Sequence, residues 1–271
     1  MLSLTAPVPT RPTAARAAGV ALSAVVLAVL TACSAGTEPP RAAPTAAPSV
    51  AESPTMLESA PVEMAPVEGP ECLTGGVAYA AVGAGDAATN VAWAGGGTKG
   101  VLLAPQADGD VCQWSEEVVR LASSGYLAAT YDWGASGEDG FRAALDVLRA
   151  TGAQEVAFVG ASAGGTLAAG LADDLDAVAV VALSPPATYE GVDARAEANE
   201  FTGPLQVFSS TDDPQVPAAD SALVPRNDKT SIVTEVSGTA HGIEFMGPDN
   251  YHADHVRNVV DDALAQGFGE G

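Results

Sequence analysis

Residues 155–166 read Glu-Val-Ala-Phe-Val-Gly-Ala-Ser-Ala-Gly-Gly-Thr. The apolar run Val156–Val159 leads straight into Gly160-Ala161-Ser162-Ala163-Gly164, and small residues continue from Gly165 to Leu171. This order predicts a buried strand, a very tight turn and the first turns of a helix. Gly160 and Gly164 stand on either side of Ser162. A turn this sharp brings strand and helix too close for side chains, so hydrogen must replace them. The residue at the apex is pushed into a strained backbone, with its hydroxyl exposed at the carboxyl end of the sheet.

Outward from that point, strands and helices alternate. Strands are predicted at Val77–Val82, Asn90–Ala94, Gly100–Ala104, Tyr126–Tyr131, Ala177–Leu183, Pro204–Ser209 and Thr230–Val236. Helices are predicted at Trp114–Ser123 and at Glu138–Ala150, where Phe141, Ala144, Leu145 and Leu148 fall at helical spacing. A last helix, Ala253–Gln266, puts Val256, Val259, Val260 and Ala263 on one face. Ala177–Leu183 is apolar throughout, as expected of a strand covered on both faces by helices. The class is therefore α/β, a doubly wound, mostly parallel sheet of about eight strands. Between Leu183 and Pro204 there is room for a short helix around Ala194–Glu200 but not for a large cap domain.

The Gly-x-Ser-x-Gly pattern in its strand–turn–helix setting resembles the nucleophile elbow of the α/β-hydrolases. The nearest likeness is to small, nearly cap-less serine hydrolases of the dienelactone-hydrolase and esterase type. That resemblance implies that Ser162 is a nucleophile, and a serine hydroxyl needs a base. His241 directly follows a predicted strand, and Thr239-Ala240-His241-Gly242-Ile243-Glu244-Phe245 is similar to the family's His-Gly motif. The segment Ser210-Thr211-Asp212-Asp213-Pro214-Gln215-Val216-Pro217 resembles the family's acid loop and implies Asp213 as the orienting carboxylate, with Asp212 as its rival. Ser162, Asp213 and His241 stand in the family's chain order.

The same resemblance places two backbone N–H groups in an oxyanion hole. One is Ala163. The other comes from the loop after the third predicted strand, where many relatives have His-Gly and this chain has Pro105-Gln106; Ala107 is the expected donor and Gln106 the alternative. Asp132-Trp133-Gly134-Ala135-Ser136-Gly137 resembles a structural turn of the family, with Trp133 lining the site. The nucleophile is Ser and not Cys, so the likeness stops short of dienelactone chemistry. His252 and His255 are three residues apart, but no carboxylate or thiolate joins them, so they are expected on an exposed helix face. No metal and no cofactor are expected.

The first 33 residues read as a leader. Arg11 and Arg16 form a basic start, Ala17–Leu30 is apolar but short for a bilayer span, and Leu30-Thr31-Ala32-Cys33 resembles the lipobox of bacterial lipoproteins. On that likeness Cys33 carries a diacylglyceryl group and an acyl chain such as palmitate, which anchors the exported chain to the membrane without a spanning helix. The alternative is a plain secretory signal with Cys33 incidental. Residues 34–70 are rich in Pro, Ala, Thr, Ser and Glu and are expected to form a disordered tether. The folded domain is then 71–271. It retains Cys72 and Cys112, which in an exported protein are expected to pair.

The whole chain has 271 residues and a formal charge of −23, which disfavours nucleic acid and anionic lipid surfaces as partners. The expected activity is hydrolysis of a small-molecule or lipid-like carboxylic ester through an acyl-enzyme on Ser162. An amidase or peptidase on the same residues, and a tethered binding protein without activity, are the alternatives.

Overall fold

The computed structural model describes residues 62–83, 85 and 88–270. The expected leader, Cys33 and most of the expected tether lie outside the described residues. The strands of the central sheet are β1 (Met64–Pro66), β2 (Ala78–Val82), β3 (Thr89–Gly95), β4 (Lys99–Ala104), β5 (Leu127–Tyr131), β6 (Glu155–Ala161), β7 (Ala177–Leu183), β10 (Leu205–Ser210) and β11 (Ser231–Val236), while β8 (Thr188–Tyr189) and β9 (Val192–Asp193) form a separate ribbon. The nine central strands lie in the order β1-β2-β3-β5-β4-β6-β7-β10-β11. β1, β2 and β3 pair antiparallel, and β3 pairs antiparallel with β5. From β5 onward every pairing is parallel. The architecture is the doubly wound α/β sheet expected from the sequence.

Alternation along the central strands divides the core in two. Leu102, Phe158, Val180 and Ala182 point to one face, where helices α2 (Gly137–Thr151) and α3 (Ala163–Gly170) cover them with Phe141, Leu145, Leu148 and Leu167. Val101, Leu103, Ala157, Val159 and Val181 point to the other, beneath Val118 and Leu121 of α1 (Ser115–Ser123) and Val256, Val260 and Leu264 of α5 (Ala253–Gly267). A strand buried on both faces has no polar side to show, which is why β7 reads as an unbroken apolar run.

Three local features differ from expectation. The chain enters the sheet before Glu71: Met64, Ala65 and Pro66 pair with Val82, Ala81 and Ala80. Val62 packs against the core, so the segment from Val62 belongs to the domain and not to a tether. Secondly, no helix forms over Ala194–Glu200. The β8–β9 ribbon precedes that segment instead. Its turn is Glu190-Gly191, both at positive φ (45° and 91°), as a tight hairpin requires. Beyond it the backbone is held by side chains that compete with helix: Asp193 accepts from the Arg195 amide and guanidinium, and Asn199 accepts from the Phe201 amide. Thirdly, a single helical turn, α4 (Ala218–Ser221), follows the loop that carries Asp212 and Asp213.

Cys72 and Cys112 form a disulfide, with Cα atoms 5.6 Å apart. It ties the segment ahead of β2 to a 3-10 turn over Val111–Trp114. The same turn is held from just beyond β5 by the Asp132 carboxylate, which accepts from the Val111 amide (3.0 Å), the Asn90 side-chain amide (2.9 Å) and the Tyr79 hydroxyl (3.2 Å). Trp133 donates its amide to the Gly109 carbonyl at 2.8 Å. Its indole is buried edge-on against Tyr189 of the ribbon.

Candidate active site

Because the strands are parallel, the residues that follow β4, β6, β7, β10 and β11 gather at one edge of the sheet. The register aligns Ala104 with Gly160, Ala161 with Leu183, Leu183 with Phe208, and Ser210 with Val236. The loops leaving these positions carry Gln106 and Ala107, Ser162, Ser184, Asp213 and His241.

Ser162 sits between β6 and α3 at φ 51° and ψ −121°, a strained conformation for a residue with a side chain. Its amide donates to the Leu183 carbonyl at 2.8 Å, and its carbonyl accepts from Gly165 and Thr166, starting α3. Gly164 is required by close approach: a Cβ there would run into the Ala104 and Pro105 carbonyls. A Cβ on Gly160 would run into the Gly164 backbone. The loop after β4 therefore lies directly on the first turn of α3. As the first residue of that helix, Ala163 has an N–H with no partner inside the helix.

The loop itself is a turn, closed by the Gly109 amide donating to the Gln106 carbonyl at 2.9 Å, with Asp108 at φ 58°. The Gln106 amide is already engaged, donating to Gln113 Oε1 at 3.0 Å. Of the two amides that could serve as the second oxyanion donor, Ala107 is thus the one not committed to another protein acceptor among the described residues.

His241 Nδ1 lies 2.8 Å from Asp213 Oδ2 and 3.1 Å from Oδ1. With the proton on Nδ1 the imidazole donates to the carboxylate and leaves Nε2 free to accept a proton. The Asp213 side chain is fully buried and that of His241 nearly so. Asp212 points elsewhere: its carboxylate accepts from the Thr211 hydroxyl and is exposed. Among the described residues no hydrogen bond joins Ser162 to His241; such bonds often tighten only when substrate is present.

Burial alone would push the Asp213 carboxyl up. The amides of Val216 (3.0 Å) and Gln215 (2.8 Å), then His241 and Ser184, more than reverse this and hold it below its ordinary value. The Ser184 hydroxyl beside it is buried and makes no well-aligned hydrogen bond among the described residues, and its backbone is at φ 47°.

Three side chains fix the loop that carries His241. Ser210 Oγ donates to the Ala240 carbonyl (2.7 Å), Glu244 Oε2 accepts from the His241 amide (3.0 Å), and Gln106 Oε1 accepts from the Ile243 amide (2.8 Å). The position of Glu244, three residues after His241 at the start of a 3-10 turn, is a capping spacing visible in the sequence. The contact of Gln106 crosses 137 residues and left no local signal. His252 begins α5 and His255 lies exposed on it, with its ring centroid 6.1 Å from that of Phe208; neither approaches Asp213 or Ser162 through any hydrogen bond among the described residues. A cavity of about 490 Å³ opens beside the His241 loop, lined by residues 236–240, 244 and 247–252. Neither Ser162 nor His241 lines it.

No family model and no curated protein matches the sequence. Solved structures do. A dienelactone hydrolase-like promiscuous phosphotriesterase from metagenomic libraries is 18% identical with a TM-score of 0.56, covering 70% of this chain and 98% of its own. A thermophilic esterase from the planctomycete Thermogutta terrifontis, with propionate bound, is 18% identical with a TM-score of 0.50, covering 66% and 89%. Est1E from Butyrivibrio proteoclasticus is 14% identical with a TM-score of 0.50, covering 70% and 100%. At these identities the likeness is one of fold: the chain has the fold of the α/β-hydrolases.

Proposed function

We propose that the chain is an exported, lipid-anchored serine hydrolase that cleaves carboxylic esters through an acyl-enzyme on Ser162. The observation that carries this reading is the buried His241–Asp213 pair at 2.8 Å, on the same sheet edge as a serine held at positive φ. In the proposed reaction Ser162 Oγ attacks the ester carbonyl while His241 Nε2 takes its proton. The tetrahedral oxyanion is stabilised by the Ala163 and Ala107 amides. His241 then protonates the leaving alkoxide, and water, activated by the same imidazole, releases the acid. Asp213 keeps the imidazole in the tautomer this needs and offsets its positive charge.

The ester preference draws on the solved structures with the same fold, two of which are named as an esterase and a dienelactone hydrolase-like phosphotriesterase. Export is favoured by the disulfide, a bond that persists in oxidising compartments. Anchoring rests on the lipobox-like Leu30-Thr31-Ala32-Cys33. The test is labelling of the full chain by a fluorophosphonate, followed by turnover of nitrophenyl esters from acetate to palmitate, with Ser162→Ala as control. Labelling and turnover that both disappear in the variant support the reading. Folded protein that takes no label and turns over no ester overturns it. Mass spectrometry of the membrane-extracted chain tests acylation at Cys33.

A further inference from the structure

We propose, on the serine-hydrolase reading, that Gln106 is a positioning residue that locks the oxyanion loop to the His241 loop, so that the two halves of the site form as one unit. The need arises from what His241 does. It stands immediately before the 3-10 turn Gly242–Met246, whose first amides have no partner within the turn. The imidazole lies on Asp213, and the Glu244 amide is met by the His241 carbonyl at 3.0 Å. The Ile243 amide is satisfied instead from across the site, by Gln106 Oε1 at 2.8 Å.

Gln106 is itself fixed at both ends. Its amide donates to Gln113 Oε1 at 3.0 Å, and its carbonyl closes the turn to Gly109 at 2.9 Å. Gln113 in turn packs on Gly109, where a Cβ would collide with its side-chain amide, and follows Cys112 of the disulfide. On the opposite side Gly242 lies at φ 52°, and a Cβ there would come within 2.6 Å of Gln106 Oε1. Glycine at 242 thus serves two demands, the left-handed backbone and the room for Gln106. A covalent and hydrogen-bonded path runs from the disulfide through Gln113 and Gln106 to the residue two after His241. Ala107, the proposed oxyanion donor, is the next residue along the chain from Gln106. Displacement of either loop moves a donor or the base relative to Ser162, and ångström-scale misplacement of reacting groups costs up to about a hundredfold in rate.

The experiment compares the full wild-type chain with Gln106→Met, which keeps the length but lacks an acceptor, and Gln106→Glu, which keeps an oxygen at the same reach. Turnover of nitrophenyl acetate and hydrogen exchange at the Ile243 amide are both read, with Ser162→Ala alongside. Gln106→Met should lower kcat about tenfold to a hundredfold with KM changed less than about twofold, and should speed exchange at Ile243. Gln106→Glu should keep kcat within about threefold and keep the amide protected. Wild-type kcat in Gln106→Met, or Gln106→Glu as slow as Gln106→Met, overturns the role. A Ser162→Ala chain that turns over the ester like wild type overturns the serine reading instead, so the two failures are distinct.

Discussion

His241 Nδ1 lies 2.8 Å from Asp213 Oδ2, while the neighbouring Asp212 carboxylate faces solvent and the Thr211 hydroxyl. A one-residue step therefore separates a group that can orient the imidazole from one that cannot. Asp213→Asn should keep the fold but favour the wrong imidazole tautomer, lowering kcat by about three orders of magnitude or more. Asp212→Asn should leave kcat within about twofold, as exposed substitutions remote from the reacting atoms do. Steady-state hydrolysis of nitrophenyl acetate by the two variants decides between them, and equal losses would mean that Asp213 does not act alone in orienting the imidazole.

The depressed Asp213 pKa also makes a statement about stability. Burial opposes ionisation, yet the Val216 and Gln215 amides, His241 and Ser184 bring the folded value below the ordinary one. In the window between the two values the unfolded chain binds the proton and the folded chain does not, so unfolding free energy rises with pH there. This contribution is complete above the ordinary aspartate value of about 4 and is lost as pH falls through the folded value. Guanidinium unfolding of wild type at pH 5, 4 and 3 should show falling midpoints, and Asp213→Asn should show a shallower fall. Parallel curves for the two proteins would count against a depressed carboxyl at this position.

How much of this was legible follows from how local each signal is. The turn around Ser162 is written in consecutive residues, because the strand, the tight turn and the helix start follow one another directly, although the collision that excludes a side chain at Gly164 is with the loop after β4. The long apolar strands and the spacing in α2 and α5 were equally plain. β1 was not, since Met64-Ala65-Pro66 is too short to carry a period and lies in a Pro-rich stretch whose pairing partner is β2. The β8–β9 ribbon was hidden because Glu190-Gly191 lacks the Asn-Gly signature of a tight hairpin, although it adopts the same left-handed pair. Gln106 reads in the sequence as a departure from a motif and as an alternative backbone donor, and nothing local points to its side chain. Its partner, Ile243, is in another loop far along the chain, and no sequence window contains both.

The disulfide closes a long loop, joining cysteines at a sequence separation of 40. Constraining the unfolded chain over such a loop contributes about 2–4 kcal/mol. For a domain of this size, the Cys72→Ser, Cys112→Ser double variant should melt about 5–15 °C lower. Scanning calorimetry of the oxidised chain, the reduced chain and the double variant checks this. The reduced chain and the double variant should melt together, and an unchanged melting temperature in both would mean that the bond does not stabilise the fold.

Gly164→Ala tests the elbow by setting two effects against each other. Gly164 lies inside α3, where alanine is favoured over glycine by about 1 kcal/mol. The new methyl, however, would meet the Ala104 and Pro105 carbonyls, which are backbone atoms and cannot turn aside. The collision should win, with a net loss of about 3 kcal/mol or more and no turnover. Urea unfolding gives the sign directly. A variant as stable as wild type, or more so, would mean that the loop after β4 does not lie on the helix start.

Asp132 offers the last test, because its carboxylate joins elements that share no other side-chain anchor of this kind among the described residues. It accepts from Tyr79 on β2, Asn90 on β3 and the Val111 amide in the turn beside the disulfide. Burial first, then the charge of Asp132, holds the Tyr79 phenol up at about 12. Asp132→Ala would leave the Val111 amide and the Asn90 side chain without this acceptor in a half-buried place, at a cost of about 1–3 kcal/mol for each donor so stranded. It would also loosen the Val111–Trp114 turn from the end of β5, next to the hydrogen bond from the Trp133 amide to the Gly109 carbonyl in the loop after β4. Melting temperature and kcat should therefore fall together, and the Tyr79 phenol should titrate closer to its ordinary value of about 10. Asp110→Ala, which removes the acceptor of the Cys112 amide and the smallest of the influences that raise Tyr79, should cost about 1 kcal/mol and leave the Tyr79 titration nearly in place. If both variants melt alike and Tyr79 does not move, Asp132 is one surface acceptor among many and not the anchor of the loop.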